Sequence, residues 1–221
     1  IHAHPELSYQ EFETSKFIQT RLADMGIPYQ VMATTGVVGL ITGKEPSSRV
    51  IALRADMDAL PIEEQNDVPY KSTNKGVMHA CGHDVHTTCL LGVAKILSQT
   101  KDQWEGTIKL IFQPGEEKNP GGASFMIKEG VLENPAPQKI LAMHVHTVLE
   151  PGQFSFRGGM VMASADELYF TIRAKGGHAA APHLTADPIV IASHIILGLQ
   201  QVVSRNNNPF NPSVLSITSV Q

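Results

Sequence analysis

GTIKLIFQPGEE, residues 106–117, is the stretch on which the reading of the fold turns. Its first half is an apolar run carrying Ile108, Leu110, Ile111 and Phe112. That run suits a buried strand and is too short for a typical helix. Its second half breaks at Pro114-Gly115 and then presents two adjacent carboxylates, Glu116 and Glu117. A buried strand that releases polar groups at its C-terminal end fits an open α/β sheet, in which ligands bind in the crevice outside the strand ends.

The neighbouring segments extend this pattern. Residues 36–41 and 50–55 read as strands split by the turn-rich GKEPSS at 43–48. Residues 9–25 and 84–97 have apolar side chains at helical spacing, with Gly26 closing the first and His83-Asp84 where a cap of the second belongs. A short helix is expected at 124–128, ending at Gly130, and a strand at 139–145. Strands alternating with helices argue for an α/β sheet with parallel members. Composition shifts near Gly158-Gly159. A strand at 167–174, a glycine-rich turn, an apolar helix at 187–203 and a strand at 214–220 then suggest the start of a smaller second domain. The boundary is drawn between 163 and 164, giving domains 1–163 and 164–221.

Composition narrows the function classes. The chain has 221 residues, 42% hydrophobic and 17% charged, with net charge −4, an ordinary globular profile. The slight acidity argues against a nucleic-acid or anionic-membrane partner. No apolar run is read as approaching a membrane span of roughly 20 residues. Two cysteines do not make a disulfide framework, so a cytoplasmic location is expected. The chain opens at Ile1 rather than Met, so a targeting segment upstream is left open.

Four polar clusters fall at or just after expected strand ends: RADMDALP (54–61), ACGHDVH (80–86), QPGEE (113–117) and MHVH (143–146). Cys81 and His83 flank a glycine ahead of a helix. A thiolate and an imidazole suit zinc and other borderline divalent metals, and a helix N-terminus favours the thiolate. Alone, the same pair also fits a buried cysteine beside a capping histidine. Of Glu116 and Glu117, one can ligate a metal while the other faces substrate as a base; a solvated acidic turn is the alternative. His144 and His146 would share a face of a strand, as ligands or as one packed and one exposed ring. Asp56 and Asp58 are spaced alike, able to orient a ligating histidine or to cap the turn before Pro61. Cys89 reads as structural. A Cys81–His83 nucleophile pair is a further alternative, made awkward by the two-residue spacing.

HPELSYQE, LRADMDALPIEE, MHACGHDVHT, FQPGEE followed by GG, and KGGHAAAPH occur here in one order. Through them the whole chain resembles the aminoacylase/carboxypeptidase-type metallo-amidohydrolases, which include hippurate hydrolase, N-acetyldiaminopimelate deacetylase and the auxin-amino-acid conjugate hydrolases. The resemblance implies a zinc-peptidase-like catalytic domain with a mixed, largely parallel sheet, and an inserted α+β dimerisation domain. It implies hydrolysis of N-acyl amino acids, small-molecule substrates, and a homodimer formed through the second domain. Two divalent ions are implied per subunit, Zn²⁺ or Mn²⁺, with Co²⁺ or Ni²⁺ also compatible. Carried over by motif, Cys81, His83, Glu117 and His144 are ligands and Glu116 is the general base. Asp56 is an active-site carboxylate beside the ligands. His178 reaches the partner subunit's site to hold the reacting carbonyl or the substrate carboxylate. His86 and His183 are given structural or orienting roles, and His2 and His4 are not ligands. The resemblance also implies a last ligand, a histidine near the end of a longer chain, which no residue here supplies. QPGEE continues as KNPGG where the family has a shorter loop, so the rim of the site departs from the pattern. A non-catalytic protein of the same fold is the remaining alternative.

Overall fold

The computed structural model describes residues 1–45 and 49–221. Of the turn expected at 43–48, residues 46–48 lie outside the described residues. The described residues form two compact units, Ile1–Pro151 and Gly152–Gln221, dividing ahead of the 163/164 boundary drawn from composition.

The first unit holds helices α1 (Phe12–Asp24), α2 (His83–Gln99) and α3 (Gly122–Lys128) and strands β1 (Tyr29–Met32), β2 (Gly36–Thr42), β3 (Val50–Asp56), β4 (Thr107–Gln113) and β5 (Lys139–Ala142). The strands make one mixed sheet, ordered β1-β2-β4-β3-β5. β1 pairs with β2, and β2 with β4, antiparallel. β3 pairs in parallel with both β4 and β5.

Alternation along the strands builds two cores. Leu110 and Phe112 of β4, with Val37, Ile41 and Ala55, pack against Ile18 and Leu22 of α1 and Leu90, Leu91 and Ala94 of α2. Ile111, Val38 and Ala52 face the other way onto Met126 of α3 and Val131. The result is three layers, and each fully buried Ile, Leu or Phe stabilises it by about 1.5–3 kcal/mol. Lys109 also points into the second core. Burial lowers the pKa of its amine, and Nζ donates to Val131 O at 2.8 Å and Glu133 O at 2.7 Å. That accounts for a lysine in the middle of the buried strand.

The parallel half of the sheet positions the site. Asp56 pairs with Gln113, and Arg54 with Ala142. The continuations of β3, β4 and β5 therefore emerge at one edge, carrying Asp58, Glu116-Glu117 and His144. Two expectations change here. β5 stops at Ala142, so His144 and His146 lie in the loop beyond it and share no strand face. ACGHD follows no strand; it enters through the N-terminus of α2, after an isolated bridge between Leu60 and Met78.

The second unit contains α4 (Pro188–Gln201), started by Asp187, whose Oδ1 accepts from Ile189 N at 2.8 Å and Val190 N at 3.4 Å. A π-helical turn, Val202–Asn206, continues it. The strands expected at 167–174 and 214–220 are not formed. Their alternation makes them fit for pairing, but a strand exists only with a ladder partner, and neither segment has one among the described residues. The helical stretch Pro188–Asn206, 19 residues, has the length and composition of a membrane-crossing helix. It reaches that length through the π turn, which adds Ser204, Arg205 and Asn206 to the apolar helix.

Candidate metal centre

His83 is the middle of the site. It opens α2 directly after Gly82, whose left-handed backbone (φ 86) turns the chain so that Cys81 and His83 face the same side. Its Nδ1 donates to Asp58 Oδ1 at 3.1 Å. A carboxylate only accepts, so Nδ1 carries the proton and Nε2 keeps its lone pair. Nε2 lies 3.7 Å from Glu117 Oε1, 4.0 Å from Glu116 Oε2 and 3.6 Å from Asp56 Oδ2. Cys81, His83 and His144 each bring a donor atom within 4.8 Å of the others, as do His83, Glu116 and Glu117.

His144 presents the same tautomer. Its Nδ1 donates to Val145 O at 2.7 Å, and Nε2 stands 3.4 Å from Cys81 Sγ. The imidazole within reach of the thiol is thus that of His144, not His83 as the nucleophile alternative required. A tetrahedral ion with bonds of about 2.0 Å to nitrogen and about 2.3 Å to sulfur separates those ligands by about 3.5 Å.

Two atoms test whether a divalent ion fits. His83 Nε2 and Glu117 Oε1 are buried and have no hydrogen-bond partner among the described residues. Leaving such groups unpaired costs about 1–3 kcal/mol each. A divalent ion would give both atoms a partner, and sulfur, imidazole nitrogen and carboxylate oxygen are donors that zinc and its neighbours accept.

The charges point the same way. Burial, followed by the carboxylates of Glu117, Glu116 and Asp56, pushes the Cys81 thiol up to about 12. These groups oppose the thiolate that the helix N-terminus favours. A helix end contributes about half a positive charge, and several full negative charges outweigh it. Burial and then the negative charges of Glu117 and Asp56 also raise the Glu116 carboxyl. A bound dication reverses this local balance.

Residues of the site's surround were only partly legible. Asp58 accepts from His83, from Ser8 Oγ at 2.6 Å and from Glu117 N at 2.9 Å. It is the carboxylate that orients His83, and the D-x-D spacing gave no way to choose it over Asp56. Asp56 instead accepts from His86 Nδ1 at 2.6 Å and Arg54 Nη1 at 2.7 Å. Burial opposes its ionisation, but the His86 hydrogen bond and the Arg54 charge hold it at about 2. HPELSYQE acts as a brace. Beyond Ser8, Glu11 accepts from Gly115 N at 2.8 Å and Tyr9 OH donates to Lys118 O at 2.6 Å. That brace secures the longer KNPGG rim.

Other candidates stay outside the cluster. His2 bridges Asp84 and Glu64, His4 contacts Thr73, and His146 accepts weakly from Val148 N at 3.5 Å. Cys89 is exposed on α2. His183 is exposed in a short 3-10 turn of the second unit. His178 lies in the same unit, where its Nδ1 accepts from Ala180 N at 3.1 Å.

The chain is similar to known proteins along its whole length. It is 46% identical over 223 residues to IAA-amino acid hydrolase ILR1-like 5 of Arabidopsis thaliana, covering 100% of this chain and 50% of that one. It is 44% identical over 219 residues to an N-acyl-L-amino acid amidohydrolase of Geobacillus stearothermophilus, covering 99% and 58%. The chain thus spans about half the length of the curated relatives it matches. A solved chain from methicillin resistant Staphylococcus aureus superposes with a TM-score of 0.75 at 36% identity, covering 99% of this chain and 58% of that one. The Bacillus subtilis YXEP protein, a dinuclear metal binding peptidase, gives a TM-score of 0.63 at 44% identity over 67% of this chain and 41% of its own. Residues 52–214 match Peptidase family M20/M25/M40, and the protein belongs to that family.

Proposed function

We propose that the full-length protein is a metal-dependent amidohydrolase that cleaves N-acyl amino acids into a carboxylic acid and a free amino acid. The observation that carries this reading is the buried pair His83 Nε2 and Glu117 Oε1, without a hydrogen-bond partner among the described residues, beside a thiol, a second imidazole and the more exposed carboxylate of Glu116. The relatives named as hydrolases of N-acyl-L-amino acids and IAA-amino acids support the substrate class.

Cys81, His83, Glu117 and His144 are the residues that would hold the divalent ions, two per full-length subunit by analogy with the dinuclear neighbour. Zn²⁺ or Mn²⁺ is proposed, with Co²⁺ or Ni²⁺ compatible with the same donors. When bound, such ions polarise the amide carbonyl and acidify water. Glu116 accepts the proton of the attacking water at its carboxylate and returns it to the leaving amine. Its side chain is 42% exposed against 21% for Glu117, which leaves it open to the water and the substrate. Asp58 keeps His83 in the ligating tautomer, and Asp56 lines the same wall.

His178 is assigned to the substrate. With Nδ1 accepting from Ala180 N, its Nε2 carries a proton and can donate to the reacting carbonyl or bind the substrate carboxylate. It acts on the partner's site in a homodimer built through the domain 164–221, with residues 1–163 belonging to the catalytic domain. A cytoplasmic enzyme with no nucleic-acid or membrane partner is part of the same proposal.

The test is a hydrolysis screen of N-acetyl, N-benzoyl and indole-3-acetyl amino acids with the full-length protein. Activity is expected to disappear on chelation and return with Zn²⁺ or Mn²⁺. Hydrolysis that persists in the chelated protein would instead favour a Cys81 nucleophile. No hydrolysis of any substrate by the metal-loaded protein would overturn the proposal.

A further inference from the structure

His144 has no rigid element beneath it. β5 ends two residues earlier, and its last pair with β3 is Arg54–Ala142. The hydrogen bond from its own Nδ1 goes to the adjacent Val145 O, which shapes the ring locally but ties it to nothing else. Yet its Nε2 stands 3.4 Å from Cys81 Sγ. Something outside residues 143–146 must hold this segment against α2.

We propose that His86 is a positioning residue for His144, acting through the backbone N–H of Val145. This inference rests on the proposed metal site. Val145 N donates to His86 Nε2 at 2.9 Å. His86 is 1% exposed and its Nδ1 donates to Asp56 Oδ1 at 2.6 Å. Because Nδ1 gives its proton to a carboxylate, Nε2 has a lone pair and accepts. Asp56 is braced by Arg54 Nη1 at 2.7 Å, and Arg54 Nε by Gln113 Oε1 at 2.9 Å. A continuous relay thus runs from the end of β4, across β3 and α2, to the loop that bears His144.

A second contact works on the same residue. A Cβ at Gly82 would stand 2.2 Å from Val145 Cγ2. The absence of a side chain between the ligands Cys81 and His83 is what lets Val145 seat. Val145 is thus clipped by its amide to His86 and by its side chain to Gly82, and His144 is carried in beside it. The ring centroids of His86 and His144 are 4.6 Å apart, edge to face.

The competing assignment makes His86 a ligand itself, since Asp56, His83 and His86 also have donor atoms within 4.8 Å. Both His86 nitrogens are already engaged, so ligation would break either the Asp56 or the Val145 hydrogen bond. His86 is placed behind the ligands, not among them.

Full-length protein stripped with a chelator and titrated with Zn²⁺ or Co²⁺ alone tests this. His86→Asn keeps a donor near the Nδ1 position but nothing near Nε2. His86→Gln keeps an acceptor near Nε2. The Asn variant is expected to lose about 10- to 100-fold in affinity for either ion and to alter the Co²⁺–thiolate absorption band. The Gln variant retains most of the affinity. In a His144→Ala background, His86→Asn causes no further loss. Circular dichroism of the metal-free variants checks folding. If both unfold, Val145→Pro deletes the same hydrogen bond from the loop side and must show the loss. Wild-type affinity in folded His86→Asn, or in Val145→Pro, overturns the proposal, as does an undiminished loss on top of His144→Ala. Failure of the unmodified protein to bind either ion removes the metal-site reading and this inference with it.

Discussion

Asp58 Oδ1 and His83 Nδ1 meet at 3.1 Å, and this contact sets which nitrogen of the imidazole faces the centre. The same carboxylate accepts from Glu117 N at 2.9 Å, so one side chain orients one proposed ligand and the backbone of another. An amide in its place presents an N–H where donors already point. Asp58→Asn is therefore expected to weaken metal binding by about 10- to 100-fold, read by competition with a chromophoric chelator. Ser8→Ala removes only one of the hydrogen bonds to this carboxylate and should produce a smaller loss. Equal affinity in Asp58→Asn and the parent would show that His83 needs no such partner.

Glu116 and Glu117 are adjacent in sequence and differ in exposure, and the proposed mechanism divides their roles. The side chain of Glu117 is 21% exposed and that of Glu116 is 42% exposed. Glu117→Gln should lower metal content, because it replaces a proposed ligand oxygen. Glu116→Gln should leave metal content intact and reduce turnover by roughly 10²–10⁴-fold, the usual contribution of a positioned acid–base group. Metal analysis and kcat on the same preparations separate the two. Near-parental kcat in metal-loaded Glu116→Gln would remove the base from the mechanism.

These contrasts show what local sequence can carry. The apolar run into Phe112 announced β4, because a buried strand writes its environment into consecutive residues. β1, YQVM, was missed: it has four residues, only Met32 is buried, and its pairing with β2 is a tertiary fact. The His144–His146 pairing by strand face failed because β5 is an edge strand that loses its partner after Ala142. The residues gathered around His83 were legible by type and motif. Which carboxylate meets which histidine was not, since Asp56–His86 and Asp58–His83 span 30 and 25 residues of chain.

Gly82 carries two constraints at once. Its φ of 86 is a left-handed value, which costs an L-residue about 1–2 kcal/mol. A methyl there also meets Val145 Cγ2 at 2.2 Å. Gly82→Ala should lower the melting temperature and weaken metal binding together. Adding Val145→Ala should recover part of the metal affinity by relieving the contact, while the backbone strain and its effect on the melting temperature remain. Titrating both variants with Zn²⁺ and melting them metal-free distinguishes the two effects. No recovery in the double variant would mean that strain alone accounts for the defect.

Glu64 makes a pH-dependent clamp on the N-terminal segment. It accepts from Ser72 N at 2.7 Å, from Asn66 Nδ2 at 3.1 Å and pairs with His2 Nε2 at 3.2 Å. The Ser72 hydrogen bond first, then Asn66 and His2 against the opposing burial, hold its carboxyl at about 2. A folded pKa below the unfolded one means that the unfolded chain binds more protons in the window between them. This stabilisation is therefore fully present above an ordinary glutamate pKa of about 4.3 and is lost as pH falls towards about 2. His2 has the opposite sign. Burial lowers its pKa, but the bonds to Glu64 and Asp84 prevail and raise it above 6.5. Its share is present below that value and fades as pH rises through the raised one. Glu64→Gln should flatten the melting temperature against pH on the acid side and reduce its decline above neutrality. Superimposable curves for parent and variant from about pH 2 to about pH 8 would show that the clamp adds nothing to stability in this linkage sense.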